Sequence, residues 1–374
     1  MTKNNLLSLE LPGKYRIPSV DYFRTVAIFL VIFMHNMHTN PLQGAFRRYT
    51  DGSGGTFLEA IIEIVLGQIF LLAVPFFFII AGYFYGQKVL SCDSPARILE
   101  TYLKRLVIAF LFWQIVYFFI PNLNILSQPY GYFRWVYNSM TDLHELSELL
   151  NIQTTTHLWF VPALVISLCT VTFFHSMKKE GIILPFVILL CVFYLLKNTY
   201  ATTPWGAQAN SFFLLSFPSW MNILIEGTII YYYPLLFVSI GWYLATRKIE
   251  LGLRISVVFI LSGVVISCFE VILLWKQFGI IASCLIGTVP LVIGLAMFAF
   301  SMPNIGRNSF VSRWGRYAFG IYLIHYAFVI WLRPLADLFE YPFSEVIHIA
   351  IVYFLSLVVV VVCSKNKWLR QVVV

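Results

Sequence analysis

Residues 20–35 read VDYFRTVAIFLVIFMH, a membrane-length apolar run interrupted by Asp21, Arg24 and His35. Ionisable side chains inside such a helix are costly in lipid and turn toward a bundle interior or a polar passage. Arg24 and His35 stand eleven residues apart. At 100° per residue, His35 returns to within about 20° of Arg24, roughly 16.5 Å further along the axis. Both side chains therefore share one face of one helix at different depths. Asp21, at i−3 from Arg24, is in register to pair with it. An arginine suits a phosphate or carboxylate, and a neutral histidine suits a general base acting on a hydroxyl. That pattern fits a site that grips a long ligand at one end and does chemistry at the other. A snorkelling arginine and a histidine bonded to a neighbouring helix satisfy the same spacing. His38 falls about 60° off this face, with no carboxylate in register beside it, so no metal site is expected.

The rest of the chain has the same character. Of its 374 residues 60% are hydrophobic and 11% charged, and the mean hydropathy is +0.81. A soluble domain carries about 25% charged residues, so an all-α polytopic membrane protein is expected. Ten apolar runs are predicted to span, at about 18–38, 57–86, 103–120, 157–175, 181–197, 226–246, 255–275, 278–301, 317–334 and 345–364. Eighteen of the 25 Lys and Arg residues fall on connections on the side of the N-terminus. Six (Arg47, Arg48, Arg134, Lys197, Lys276, Arg333) fall on the opposite side, and Arg24 alone is left inside a span. This bias predicts both termini in the cytoplasm and an even number of spans. It also accounts for the net charge of +8 without nucleic acid. No small-residue cleavage site follows His35, so the first run is expected to stay as a membrane helix. The six cysteines form no CxxC and read as buried, inert thiols. The chain is expected to be one transmembrane domain, residues 1–374, with no fused soluble domain.

Two longer connections, about 121–156 and 198–225, are predicted to face outside and carry Trp135, His144, Trp205 and Trp220. Trp205, Phe212, Phe213 and Trp220 offer faces on which a sugar can stack, and equally serve as interfacial aromatics. Glu226 and Glu270, near predicted outer ends, are candidate partners for acceptor hydroxyls and otherwise read as interfacial acids.

Five stretches, taken in order, resemble a known family. VDYFRTVAIFLVIFMH is similar to the D-x-x-R-x10-H signature in the first helix of the membrane-bound acyltransferase-3 family. VPFFFIIAGYFYG (74–86), YLKRLVIAFLFW (102–113), HLWFVPALV (157–165) and GRYAFGIYLIHYAFV (315–329) resemble its later elements. The resemblance covers about residues 18–364.

It implies an integral-membrane O-acyltransferase. Such an enzyme moves an acyl group, commonly acetyl, from cytoplasmic acetyl-CoA to a hydroxyl of a surface polysaccharide or lipid-linked glycan, here at a bacterial inner membrane. It carries the family's essential pair onto Arg24, holding CoA phosphates, and His35, with Asp21 beside them. Arg105 and Lys104 are implied in CoA binding, and His157, Trp159 and His325 in substrate binding. Trp159 reads also as an interfacial anchor, and His325 as a partner in an interhelical hydrogen bond. Two positions depart from the pattern. Ala81 replaces the usual serine before Gly82, which removes that hydroxyl as an acyl relay and leaves Gly82 as a packing residue. Tyr102 replaces the first arginine of an R-x-x-R pair, so Lys88, Arg97 or Lys104 must supplement Arg105. The rival expectation is a proton- or ion-coupled transporter using Arg24 and His35 as a relay.

Overall fold

A computed structural model describes residues 16–36, 56, 59, 67–120, 130–141, 157–216, 218–219, 222, 228–247, 252–279, 284–336 and 343–373. His38, His144, Trp220 and Glu226 lie outside these residues. The described residues are helical, with no strand among them. The helices are α1 (Pro18–Asn36), α2 (Ala73–Leu90), α3 (Pro95–Phe118), α4 (Gly131–Thr141), α5 (Phe160–Ser176), α6 (Glu180–Lys197) and α7 (Pro204–Ser216). After them come α8 (Tyr232–Thr246), α9 (Leu253–Phe278), α10 (Thr288–Ser301), α11 (Phe310–Trp314), α12 (Ala318–Ala336), α13 (Phe343–Lys365) and α14 (Arg370–Val373). Each of the ten apolar runs holds a helix. Seven helices among the described residues are long and apolar enough to cross a membrane, and α5 and α10 are shorter apolar helices.

Several boundaries differ from the expectation, for local reasons. α3 begins eight residues ahead of the predicted 103. Ser94 accepts a hydrogen bond from the Arg97 amide at 3.4 Å, and Pro95 fills the first helical position, where its missing N–H costs nothing. Hydropathy marks where this helix meets apolar surroundings, not where its backbone starts. The run at 278–301 is not one helix: Phe278 ends α9, and α10 starts at Thr288. The connections predicted as loops contain α4 and α7.

Glu270 also differs from its reading as an interfacial acid. It is 7% exposed. Its carboxylate accepts from the backbone amides of Ile286 (3.0 Å) and Gly287 (3.2 Å) and from the Tyr200 hydroxyl. Those amides lie in the turn that leads into α10, with Gly287 at its N-cap, where a negative charge also favours the helix dipole. Glu270→Leu would leave three donors without an acceptor, the buried Gly287 amide at about 1–3 kcal/mol and the part-buried Ile286 amide and Tyr200 hydroxyl at less. A thermal melt in detergent is expected to show a large loss for Glu270→Leu and a smaller one for Glu270→Gln.

Ring contacts give the helix directions. Phe33, late in α1, stacks on Phe70 ahead of α2 (4.3 Å), and Arg24, early in α1, lies over Phe84 late in α2 (5.3 Å). Tyr85 in α2 meets Tyr102 early in α3 (5.2 Å) and hydrogen-bonds Thr172 late in α5 (2.6 Å). Thus α1 and α3 run together, and α2 and α5 run against them.

α2 packs along α8 at backbone distance. A Cβ on Gly82 would stand 2.2 Å from the Val238 carbonyl oxygen, and one on Gly241 would stand 2.0 Å from that of Ile79. Gly82 is thus a contact point, as the replacement of serine by Ala81 suggested. Gly241→Ala is expected to force the two helices apart at about 1–3 kcal/mol. Gly181→Ala, where a Cβ would meet nothing within 4 Å, should cost nothing in the same melting assay. Finally, α14 tucks under the bundle: Val372 and Val373 are buried, and the Trp113 indole donates to Val372 O at 2.9 Å.

Candidate functional site

Two clusters of polar side chains lie at the two ends of α1, and α3 passes both. At the first, Arg24 Nη1 stands 3.5 Å from Asp21 Oδ1, so the predicted i,i+3 pair is present. Asp21 is buried and also pairs with Arg16, whose guanidinium donates to Ser312 O. The backbone here admits no side chain on the facing turn: a Cβ on Gly315 would lie 2.1 Å from Asp21 O. Thr25 adds a hydrogen bond to Val311 O at 2.8 Å. α1 is therefore clamped to α11 where Arg24 leaves it. The Arg24 side chain keeps 28% of its surface exposed, so the guanidinium is held in place and still reachable.

Tyr102 stands at the centre of this end. Arg24 and Arg105 both lie within electrostatic range of it, and Lys88 Nζ sits 5.0 Å from its ring. Arg370, on α14, is near enough to repel Arg105. Four cations from four helices thus converge, and Asp21 is shared between Arg24 and Arg16. Such a surplus suits an anion with several charges. Lys104 and Arg105 are both exposed, Lys104 turned about 100° from Arg105 on α3, and of the three supplementary cations that the sequence offered, Lys88 lies against the Tyr102 ring. The aromatic surface continues from Tyr102 to Tyr85, then to Trp242 at 5.8 Å and His175 at 5.2 Å.

The second cluster gathers three histidines from distant parts of the chain. The His35 ring centroid lies 5.3 Å from that of His325 and 5.4 Å from that of Tyr326. His325 lies 5.4 Å from His157, which lies 4.7 Å from Tyr117 and 4.9 Å from Tyr326. His157 and His325 are both fully buried. His157, at the head of α5, is therefore not a solvated surface residue. His325 Nδ1 stands 2.7 Å from Tyr322 O, and His157 Nε2 a longer 3.4 Å from Leu323 O. The remaining nitrogens, His325 Nε2 and His157 Nδ1, have no hydrogen-bond partner among the described residues. Each such buried atom costs about 1–3 kcal/mol, a burden that native folds carry mostly where function asks for it.

The turn that carries His325 is built around Tyr117. Its hydroxyl donates to Leu323 O at 2.7 Å and accepts from Ala327 N at 3.3 Å. It so bridges the two groups that an uninterrupted helix joins directly. The Tyr322 hydroxyl donates to His157 O, tying α12 to the head of α5. Trp159 does not join this group; it is half-buried against Phe78 at 6.1 Å. Among the described residues no group of three or more His, Cys, Asp or Glu side chains is arranged to hold a metal. A cavity of about 980 Å³ between α6, α8, α9 and α10 is lined in part by Glu270 and Tyr200 and by none of the residues of either cluster.

Arg16, Tyr102, Tyr117 and Tyr326 were not read from the sequence as site residues. Tyr322 stood in the quoted IYLIH stretch, and its i−3 spacing from His325 was the available signal. For Tyr117 no sequence signal exists, because its partners lie on α12, about 200 residues later.

Comparison with known proteins agrees with these motifs. The acyltransferase-domain profile of the acyltransferase-3 family matches residues 17–365. The chain belongs to that family. It is also 29% identical over 162 residues to an amino-acid racemase of Enterococcus faecalis, a match covering 42% of this chain and 20% of that protein. The chain thus spans about a fifth of the length of that curated relative. No solved structure matches.

Proposed function

We propose that the protein is an O-acyltransferase that takes acetyl from cytoplasmic acetyl-CoA and delivers it to a hydroxyl of a surface or lipid-linked glycan at a bacterial inner membrane. The observation that carries this reading is the pairing of a multi-cation end with a three-histidine end on one helix. Arg24, with Lys88 and Arg105 around Tyr102, binds the CoA phosphates. His35 removes the proton of the acceptor hydroxyl as its oxygen attacks the thioester carbonyl. The separation of the two groups along α1, about 16.5 Å, is bridged by the extended arm between the phosphates and the thioester. The cationic end is the cytoplasmic one in this scheme, following the distribution of Lys and Arg. The bare Nδ1 of His157 favours a ligand that brings hydrogen-bond donors, and a sugar supplies hydroxyls.

Purified protein in vesicles, given radiolabelled acetyl-CoA and glycan from the host, tests this. Labelled glycan with stoichiometric release of free CoA is expected. Movement of solute or protons across the vesicle without CoA release would replace this reading by the transporter.

A further inference from the structure

We propose that His325 is a positioning residue that holds His35 in the tautomer a base needs, which rests on the acyltransferase reading of this cluster. A carbonyl can only accept, so the 2.7 Å contact with Tyr322 O places the His325 proton on Nδ1. The neutral ring then carries its lone pair on Nε2. That nitrogen is fully buried and has no hydrogen-bond partner among the described residues. Two imidazoles lie beside this ring: His157, with centroids 5.4 Å apart, turns Nε2 to Leu323 O and so has no N–H left to offer, whereas His35, with centroids 5.3 Å apart, has one. A modest ring rotation brings an N–H of His35 onto the lone pair, and such bonds tighten when substrate binds. The second nitrogen of His35 is then the one without a proton. This is the logic by which a third group orients a base, with an imidazole anchored to backbone in place of a carboxylate.

The anchor is stiff. Tyr117 bridges Leu323 and Ala327 on either side of His325, and Tyr322 is itself tied to His157 O. His325 therefore keeps its orientation while His35 gains and loses a proton. In the forward step the acceptor hydroxyl proton passes to the free nitrogen of His35, and the hydroxyl oxygen bonds to the thioester carbon. As the carbon–sulfur bond breaks, the same proton leaves His35 for the CoA sulfur. His325 exchanges no proton with substrate; its Nε2 accepts from the His35 imidazolium throughout.

The test is kinetic and spectroscopic, on the full chain in vesicles. His325→Ala is expected to lower kcat by about 100-fold or more, with KM for acetyl-CoA within about twofold of wild type. His325→Gln places an amide oxygen near the position of Nε2 and should restore kcat to within about tenfold of wild type. In 15N-histidine spectra, the His325 Nε2 signal is expected to be that of an unprotonated, hydrogen-bonded nitrogen, and to shift in His35→Phe. A His325→Gln variant as inactive as His325→Ala, or an undiminished kcat in His325→Ala, would overturn the proposal. A protonated Nε2, or one indifferent to His35→Phe, would overturn it even without a kinetic assay. Absence of turnover by the wild-type chain would count against the acyltransferase reading, and the nitrogen spectra would still decide the ring pairing.

Discussion

Replacing His35 with alanine is expected to lower acetyl transfer by about 10²–10⁴-fold, the usual worth of a positioned general base. The loss should fall on kcat. The phosphate-holding end lies about 16.5 Å away on α1, so KM for acetyl-CoA should stay within a small factor. The fold should persist, because α1 is anchored by Asp21, Thr25 and Gly315 at its other end and by apolar residues such as Ile28 and Ile32, which are fully buried. Steady-state kinetics with a melting curve of the same preparation separates these quantities. Added imidazole should restore part of the rate by occupying the space left beside His325. Wild-type turnover in His35→Ala would remove the base assignment.

Arg24→Ala is expected to raise KM for acetyl-CoA by about 10–100-fold, since a charge-assisted hydrogen bond is worth about 1.5–3 kcal/mol. Asp21 would keep Arg16 as its partner, so the carboxylate is not left alone and the melting temperature should fall only modestly. Arg24→Lys should recover part of the affinity, because it restores charge without the planar fork. The decisive comparison uses two donors. With acetyl-CoA the variant should be impaired, and with acetyl-pantetheine, which has no phosphates, variant and wild type should perform alike. Equal impairment with both donors would show that Arg24 acts on something other than phosphate.

Much of α1 was legible because everything needed lies within a single helix. Helical periodicity fixes the angle between Arg24 and His35 and the reach of Asp21, and both follow from backbone geometry alone. The apolar runs located the helices, since lipid and bundle interior impose the same demand on composition. What could not be read is how one helix meets another. Tyr102 looked like the loss of a cation, whereas in the fold it is the surface around which Arg24, Lys88 and Arg105 assemble. Glu270 looked interfacial because its span position was all that could be seen. Its partners are the Tyr200 hydroxyl and two amides of the turn before α10, and backbone amides leave no trace in a sequence. Trp159 came in with the motifs that resemble the family, and in the fold it packs against Phe78. His157 and His325 came in the same way, and the helix packing brings their rings to His35.

The Arg16–Asp21–Arg24 arrangement also bears on how the chain is made. His325 is synthesised about 290 residues after His35, a delay of roughly 15–60 s at usual rates of elongation. Through that interval the first span has to reside in the bilayer before the helices that will surround it exist. An arginine inside such a segment opposes insertion. A carboxylate three residues ahead lets the nascent segment pair that charge from its own residues. The acid beside Arg24 thus serves biogenesis before it serves any ligand, and its removal should first appear as poor membrane integration of newly made chains.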